Sequence, residues 1–201
     1  MVMPKRVDPL ERRRAIADAA ITAIAATGLE GVKLSRIAQL ARVTTGAVMH
    51  YFESKDDVLL AALERVAERL FARAGQGEAG SPATLVYLFE TLPLDPQALA
   101  EWKVWLAFWG RAAFVPRLSA VHRASYEQIE IALAAWVGGD REVARLRAAA
   151  VIAAVDGVGV RAALEPDRWP AERQRRLLET LVLPLLASFS PEPLPHDRVQ
   201  A

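Results

Sequence analysis

The chain has 201 residues, 53% hydrophobic and 24% charged, a balance that suits one or two packed globular domains and excludes disorder of the whole chain. It has no Cys, which excludes disulfides, thiolate chemistry and Cys-ligated zinc; the three histidines, His50, His122 and His196, are too scattered to suggest a metal cluster. The net charge of +1 is unevenly placed: residues 1–55 hold 9 Lys and Arg against 5 Asp and Glu, net +4, and the remainder is net −3. The N-terminal quarter is therefore the candidate anion-binding part, with ordinary variation among solvated helices as the alternative.

The N-terminus imitates a secretory signal, because Arg12-Arg13-Arg14 precedes AIADAAITAIAA. Asp18 interrupts that run, and Ile16, Ala19, Ala20, Ala23 and Ile24 recur at helical spacing, so it reads as an amphipathic helix of the fold. Asp8-Pro9-Leu10-Glu11 supplies an N-cap, a first-turn proline and an acidic residue, which predicts a helix from there to a stop near Gly28. Leu34, Ile37, Ala38 and Ala41 predict a short helix ending near Arg42, and Thr44 caps another short one. Ser54 and Asp57 form a capping box that opens a long helix with the stripe Val58, Leu59, Ala62, Leu63, Val66 and Leu70.

GQGEAGSP at 75–82 is a loop by composition and the best linker candidate. Ser81-Pro82 and Asp95-Pro96 each pair a cap with a first-turn proline and predict helix starts. Pro116 begins or kinks the next helix, which runs to the Gly138-Gly139-Asp140 break; a further helix ends near Leu164, and the last runs from Pro170 to about Pro184. The tail SPEPLPHDRVQA is polar and Pro-rich, and is expected to be disordered. No apolar stretch reaches the ~18 residues that span a bilayer, and nothing alternates well enough for a strand. The chain is read as all-α and cytoplasmic.

Helices 34–41 and 44–51, joined by a tight turn, make a helix-turn-helix pattern. Val48 and Phe52 face inward in such a unit, leaving Thr45, Gly46, Met49 and His50 on the outer face of the second helix. That face is small at its N-terminal end, as a helix entering the major groove requires, and Thr and Met can touch base edges and thymine methyls. Gly46 costs a helix about 1 kcal/mol relative to Ala. Close approach of its backbone to DNA is a sufficient reason for it.

Here the run GVKLSRIAQLARVTTGAVMHYFESKDDVLLAAL resembles the DNA-binding region of the TetR family of transcriptional regulators, and the likeness covers about residues 8–65. It is carried by Ile37-Ala38, Ala41-Arg42-Val43, Gly46, Met49-His50-Tyr51-Phe52 and Lys55. The chain departs from the family pattern at Lys33, which replaces a capping hydroxyl, at Arg42, which replaces the turn glycine, and at Met49, which replaces a tyrosine. The resemblance implies that His50 and Lys55 contact phosphates, that Thr44 and Thr45 reach phosphates or base edges, and that Arg12–Arg14 or Lys5-Arg6 form a basic arm. With Lys33, Arg36, Gly46 and Met49 these are the candidate DNA contacts; the alternative is a cap at Thr44 and a solvated face elsewhere.

WKVWLAFWGRA at 102–112 places Trp102, Trp105 and Trp109 on one helical face with Phe108 beside them, and Tyr126 follows downstream. Aromatic stripes are core more often than cavity. Alternatively these five residues line a ligand cavity, where aromatic faces and a carboxylate would favour an organic cation. The stripe together with VDGVGVRAAL at 155–164 resembles the C-terminal domain of the choline-responsive BetI branch of the family. The last two helices are apolar over wide faces, so a twofold four-helix interface is expected, built from Val155, Gly157, Gly159, Leu177, Leu178, Leu181 and Leu185. Asp156 is read as a paired polar contact there, with a pocket acid as the alternative.

The expected organisation is a three-helix DNA-binding domain at 1–53, a ligand-binding and dimerisation domain at 54–189 and a tail at 190–201. The expected function is a homodimeric repressor released from double-stranded operator DNA by an unidentified small-molecule effector, with no cofactor, no metal and no membrane partner. The rival is a helical small-molecule-binding protein or scaffold dimer without DNA binding. An enzyme is not expected, since H-E-x-x-H, a phosphate-binding glycine loop, G-x-S-x-G and a Cys nucleophile are all missing from the sequence.

Overall fold

The computed structural model describes residues 8–74, 83–137 and 140–187, which form helices and short turns with no strand among them. In chain order the helices are α1 (Pro9–Gly31), α2 (Leu34–Leu40), α3 (Thr45–Tyr51), α4 (Lys55–Ala74), α5 (Ala83–Glu90), α6 (Pro96–Ala112), α7 (Pro116–Val137), α8 (Arg141–Leu164) and α9 (Ala171–Ala187), with a 3-10 turn at Pro166–Arg168. The expected linker at 75–82 with its Ser81-Pro82 helix start, the glycines at 138–139 and the tail at 190–201 lie outside the described residues.

The helix ends follow from local chemistry. Asp8 accepts the amide of Leu10 at 2.9 Å, Thr44 Oγ1 that of Ala47 at 3.1 Å, and Asp95 that of Ala98 at 2.8 Å, each satisfying a donor that the first turn leaves open. Ser54 accepts from the Asp57 amide at 3.1 Å and donates to its carboxylate at 2.8 Å. Gly28 breaks α1 at φ 69°, ahead of one last turn to Gly31. Arg42 adopts φ 55° in the α2–α3 turn, a left-handed conformation costing roughly 1 kcal/mol in a residue with a Cβ. Lys33 occupies the N-cap of α2 and makes no capping hydrogen bond. One expected boundary is corrected: α9 continues through Pro184 to Ala187. Val182 and Leu185 pack into the core on either side of the proline, and that burial keeps the chain helical.

Two apolar cores form. The first joins Ile16 and Ile24 of α1, Ile37 of α2, Val48 of α3 and Leu59 and Val66 of α4 to Val104 and Phe108 of α6 and Leu118 of α7. It crosses residue 53, so α1 and α4 tie the helix-turn-helix to α6. The second joins Leu88 and Leu92 to Leu133 of α7, Val151 and Val158 of α8 and Leu178 and Val182 of α9. Trp102 sits where α6 meets α8: it is 6% exposed, and a Cβ on Gly159 would come within 2.0 Å of its ring. Close approach of α8 to α6 therefore requires glycine there.

Candidate nucleic-acid interface and ligand cavity

α3 is a seven-residue helix held from below by Val48, at 0% exposure, and by Phe52 at its C-cap. Its other face is open. Lys33, Arg36, Thr44, Thr45, Gly46, Met49, His50 and Lys55, all eight candidate DNA contacts, are exposed. A Cβ on Gly46 would meet only Thr44 Oγ1, at 3.9 Å, so no crowding inside the chain calls for glycine. Arg36 donates to Gln39 at 2.7 Å, and Lys55 donates to the Glu30 carbonyl at 3.1 Å, which docks the start of α4 on the end of α1. The expected basic arm is reduced: Arg13 pairs with Glu64 at 3.0 Å and Arg14 with Glu68 at 3.7 Å, because α4 runs alongside α1. Lys5 and Arg6 lie outside the described residues.

A cavity of about 480 Å³ opens between the end of α6, α7 and α8, lined by Trp109, Ala112, Ala113, Ser119, His122, Tyr126 and Asp156. Of the five expected ligand residues, Trp109 and Tyr126 line it. Trp102, Trp105 and Phe108 do not, which corrects that expectation. Trp102 donates from its indole to the Thr91 carbonyl at 2.7 Å and packs on Gly159. Phe108 is 1% exposed in the first core, and Trp105 is half-buried against the same core. α6 touches α1, α4, α7 and α8, so most of its circumference is interior and its rings divide among several neighbours. A second groove, about 650 Å³, lies between α1 and α6, but its two cations are already spent: Lys103 on the Ala25 carbonyl and Arg111 on Asp56.

The cavity's polar groups converge. Tyr126 donates to Asp156 Oδ2 at 3.0 Å, so Asp156 lines the cavity and is paired within the chain. Burial, only partly opposed by this bond, raises the Asp156 pKa to about 6. Burial, then the neighbouring carboxylate, pushes the Tyr126 phenol upward, and burial lowers the His122 pKa. His122 stacks on Tyr126, at 4.2 Å between centroids, and lies nearly parallel to Phe108, at 6.3 Å. The Trp109 N–H lies close enough to favour a Tyr126 phenolate, but it makes no hydrogen bond of acceptable geometry and is buried without a partner. Ser119 and His122 escaped the sequence reading, which held Asp156 only as an alternative pocket acid; an i, i+4 pair of rings at His122 and Tyr126 was the available signal.

Cavity and reading helix are mechanically joined. Arg111, in the last turn of α6, makes a bidentate pair with Asp56 at 3.0 Å and 3.0 Å, and Arg117, at the start of α7, binds Asp57 at 2.8 Å. Both acids are in the first turn of α4, directly after the helix-turn-helix. The Ser54 hydrogen bond, and then Arg117, hold the Asp57 pKa below its ordinary value. Further along α4, Arg65 and Arg69 both bind Asp18 of α1, at 2.7 and 2.9 Å, and Arg69 reaches the buried Glu101 of α6 at 3.4 Å.

The expected interface set also divides. Gly157 and Leu181 are exposed, whereas Val155, Leu177 and Leu185 are half-buried against the second core. Leu178, at 0% exposure, and Gly159, beneath Trp102, are interior to the protomer, because α8 packs inward on both α6 and α9. The outward stripe of α8 is instead Val143, Leu146, Ala153, Gly157 and Leu164, spaced like a helix-packing seam.

Two family descriptions match the chain: "Bacterial regulatory proteins, tetR family" over residues 16–62, and "BetI-type transcriptional repressor, C-terminal" over residues 87–187. The chain belongs to the TetR family. It is 30% identical to the HTH-type transcriptional regulator BetI of Cronobacter sakazakii, over 94% of this chain and 98% of that one. Among solved structures, it is similar to a transcriptional regulator from Rhodococcus sp. Rha1, with a TM-score of 0.78 at 31% identity over 88% of this chain and 96% of that one. A regulator from Saccharomonospora viridis in complex with choline shares the fold, with a TM-score of 0.72 at 23% identity over 87% and 96% of the two chains. The protein is thus a TetR-family transcriptional regulator with a BetI-type C-terminal domain, and the family is one of regulators, not enzymes. Among its described residues no helix is long and apolar enough to cross a membrane, and no cluster of His, Asp and Glu could hold a metal.

Proposed function

We propose that the protein is a homodimeric repressor whose operator affinity falls when a small molecule enters the α6–α7–α8 cavity. The observation that carries this reading is the double clasp, Arg111 on Asp56 and Arg117 on Asp57, which fastens the first turn of α4 to the two helices that wall the cavity. A ligand that separates the end of α6 from the start of α7 pulls on α4 and, through Ser54, on α3. Two recognition helices related by a twofold axis must keep a fixed spacing to read successive major grooves, so a small tilt of α4 suffices. Coupling of ~1–3 kcal/mol, or about 5–150-fold in affinity, is typical of such systems.

The second copy would dock on the outward stripe of α8, with Leu181 and Leu183 of α9 beside it, since these apolar side chains face solvent in one protomer. Thr44 and Thr45 would meet phosphates or base edges and Lys55 a phosphate, with the reading head extending to residue 53 and the cavity domain from residue 54. The choline complex of the Saccharomonospora viridis regulator supports a small-molecule site in this type of domain. The protein would perform no turnover.

The test is selection of genomic fragments by the full-length protein, followed by a salt titration. Fragments sharing a two-fold symmetric site, bound with an affinity that falls steeply with salt, are expected. Dimeric protein that selects no fragment would favour the rival, a helical small-molecule-binding protein or scaffold.

A further inference from the structure

The hydrogen-bonding capacity left over in the cavity defines a ligand chemistry narrower than the effector reading on which it rests. Asp156 accepts one hydrogen bond, from Tyr126 to Oδ2, and no other to this carboxylate is present among the described residues. Oδ1 is thus a free acceptor carrying negative charge. Trp109, at the cavity wall, holds the complementary group: its Nε1 is buried near the Tyr126 hydroxyl with no hydrogen bond of acceptable geometry, and a small turn of the indole is needed to bring it to a ligand oxygen. The remaining walls are neutral: alanines, Ser119, and a His122 stacked on Tyr126 with Phe108 nearly parallel to it. Among the described residues no Lys or Arg lines the cavity, so none of them neutralises the carboxylate from within it.

Two kinds of organic cation could balance that charge. A quaternary ammonium has no N–H and depends on a box of aromatic faces. The aromatic residues of α6 do not supply one here. Trp102 is turned onto Gly159, Trp105 and Phe108 belong to the first core, and Trp109 and Tyr126, stacked on His122, are the rings left at the wall among the described residues. Its methyl groups would also cover Asp156 Oδ1 without bonding it, and an acceptor desolvated in that way is costly. A protonated amine instead donates to Oδ1 through a charge-assisted bond. An oxygen on the same molecule can accept the Trp109 N–H.

We propose that the cavity takes a small protonated amine that keeps at least one N–H bond and carries an oxygen acceptor, in preference to quaternary ammonium compounds. The volume admits a ligand larger than the ammonium group alone, with an apolar portion against Ala112 and Ala113.

The test is calorimetric titration of the full-length protein with 2-amino-1-phenylethanol and its N-methyl, N,N-dimethyl and N,N,N-trimethyl derivatives. The three members with an N–H should bind, and the trimethyl member should bind at least ~10-fold more weakly. Equal or tighter binding of the trimethyl member, or no binding by any member at millimolar concentration, overturns the proposal. Asp156→Asn, which keeps an acceptor for Tyr126, should weaken the amines at least ~10-fold; unchanged affinity counts against it. Trp109→Phe should weaken 2-amino-1-phenylethanol several-fold and leave 2-phenylethylamine, which lacks the oxygen, unaffected. Equal losses for both compounds would remove Trp109 as the oxygen's partner and overturn that half. Release of a selected DNA fragment separates the two levels. A protein that binds the fragment and is released best by the trimethyl member is a regulator with a different effector class. One that binds no fragment fails the regulatory reading, whatever the order of amine affinities.

Discussion

Gly46 in α3 and Gly159 in α8 carry the same intrinsic penalty, about 1 kcal/mol each relative to Ala in a helix, yet their surroundings are opposite. A Cβ at Gly159 would overlap the Trp102 ring, whereas a Cβ at Gly46 would stand in open space near Thr44 alone. The α8 glycine is explained by the protein's own packing. The α3 glycine is not, and the proposed reading assigns it to DNA, which would approach the exposed face around it. The contrast extends to the polar groups. In the cavity Tyr126 and Asp156 are half-buried and bonded to each other, with pKa values displaced by burial. The polar groups around α3 are exposed. Substitutions around Gly159 and the cavity should be felt in the protein's stability, and substitutions around α3 chiefly in binding.

The largest expected effect is that of Gly46→Leu. It should keep or slightly raise the melting temperature, since Leu has the better helix propensity, while affinity for a selected operator falls by more than ~100-fold, about 2.7 kcal/mol. Electrophoretic mobility shift and thermal unfolding on the same preparation decide the matter. Wild-type affinity in this variant would end the idea that DNA approaches the glycine. Next in size is Arg111→Ala, which opens one half of the clasp at the start of α4. Amine binding by calorimetry should persist, but the ratio of operator affinities without and with ligand should drop from the 5–150-fold range toward about unity. An unchanged ratio would show that coupling runs elsewhere, for instance through Asp18, Arg65 and Arg69.

Gly159→Ala tests the other side of the contrast. Overpacking of this kind costs typically 1–3 kcal/mol, and with a melting temperature that moves by ~2–4 °C per kcal/mol in a chain of this size the loss is readily measured. The indole cannot retreat freely, because its N–H is bonded to the Thr91 carbonyl. Unchanged stability would mean that α8 sits farther from α6 than Gly159 implies.

What was legible in the sequence, and what was not, follows the range of the interactions. Caps at Asp8, Thr44, Ser54 and Asp95 act over two or three residues, and each is where the pattern put it. The inward Val48 and Phe52 were legible for the same reason, and the left-handed Arg42 agrees with its place at the family's turn glycine. The aromatic stripe of α6 was not, because a ring's fate depends on which of four neighbouring helices covers it. Likewise α8 is apolar on two sides, and its pattern alone did not separate Gly159 and the nearby Leu178 of α9, both interior, from the outward Val143, Leu146 and Leu164. Asp156 meets Tyr126 only because α7 and α8 pack together, a contact thirty residues apart in the chain.

Asp156→Asn should move stability by less, and in the opposite direction. A carboxyl whose native pKa of about 6 exceeds its model value of 3.8 binds its proton more readily in the folded state. The folded protein therefore gains stability as pH falls from about 6 toward 3.8, and the ionised group costs stability above that window. Discounted for partial exposure, the cost is on the order of 1–2 kcal/mol. The Asn variant should thus melt higher than the parent at pH 8, and the two curves should converge near pH 4. A variant less stable at pH 8 would mean that the ionised form is stabilised by a partner and not penalised by burial.

The smallest effect belongs to Lys55→Ala. Lys55 is exposed and donates to the Glu30 carbonyl, so the folded protein loses one surface hydrogen bond, and stability should fall by under about 1 kcal/mol. At the DNA the loss is a phosphate contact. Because a phosphate carries no sequence information, specific and non-specific fragments should weaken alike, and the slope of log affinity against log salt should flatten by about one unit. Thr45→Ala supplies the counter-case, since a base-edge contact would lower the ratio of specific to non-specific affinity and leave the slope intact. If Lys55→Ala changes that ratio while the slope stays the same, the ammonium does not neutralise a phosphate. Its bond to Glu30, which sets the entry of α4 beneath α3, would then be its role, and Lys55 would belong with the clasp residues that position the reading helix.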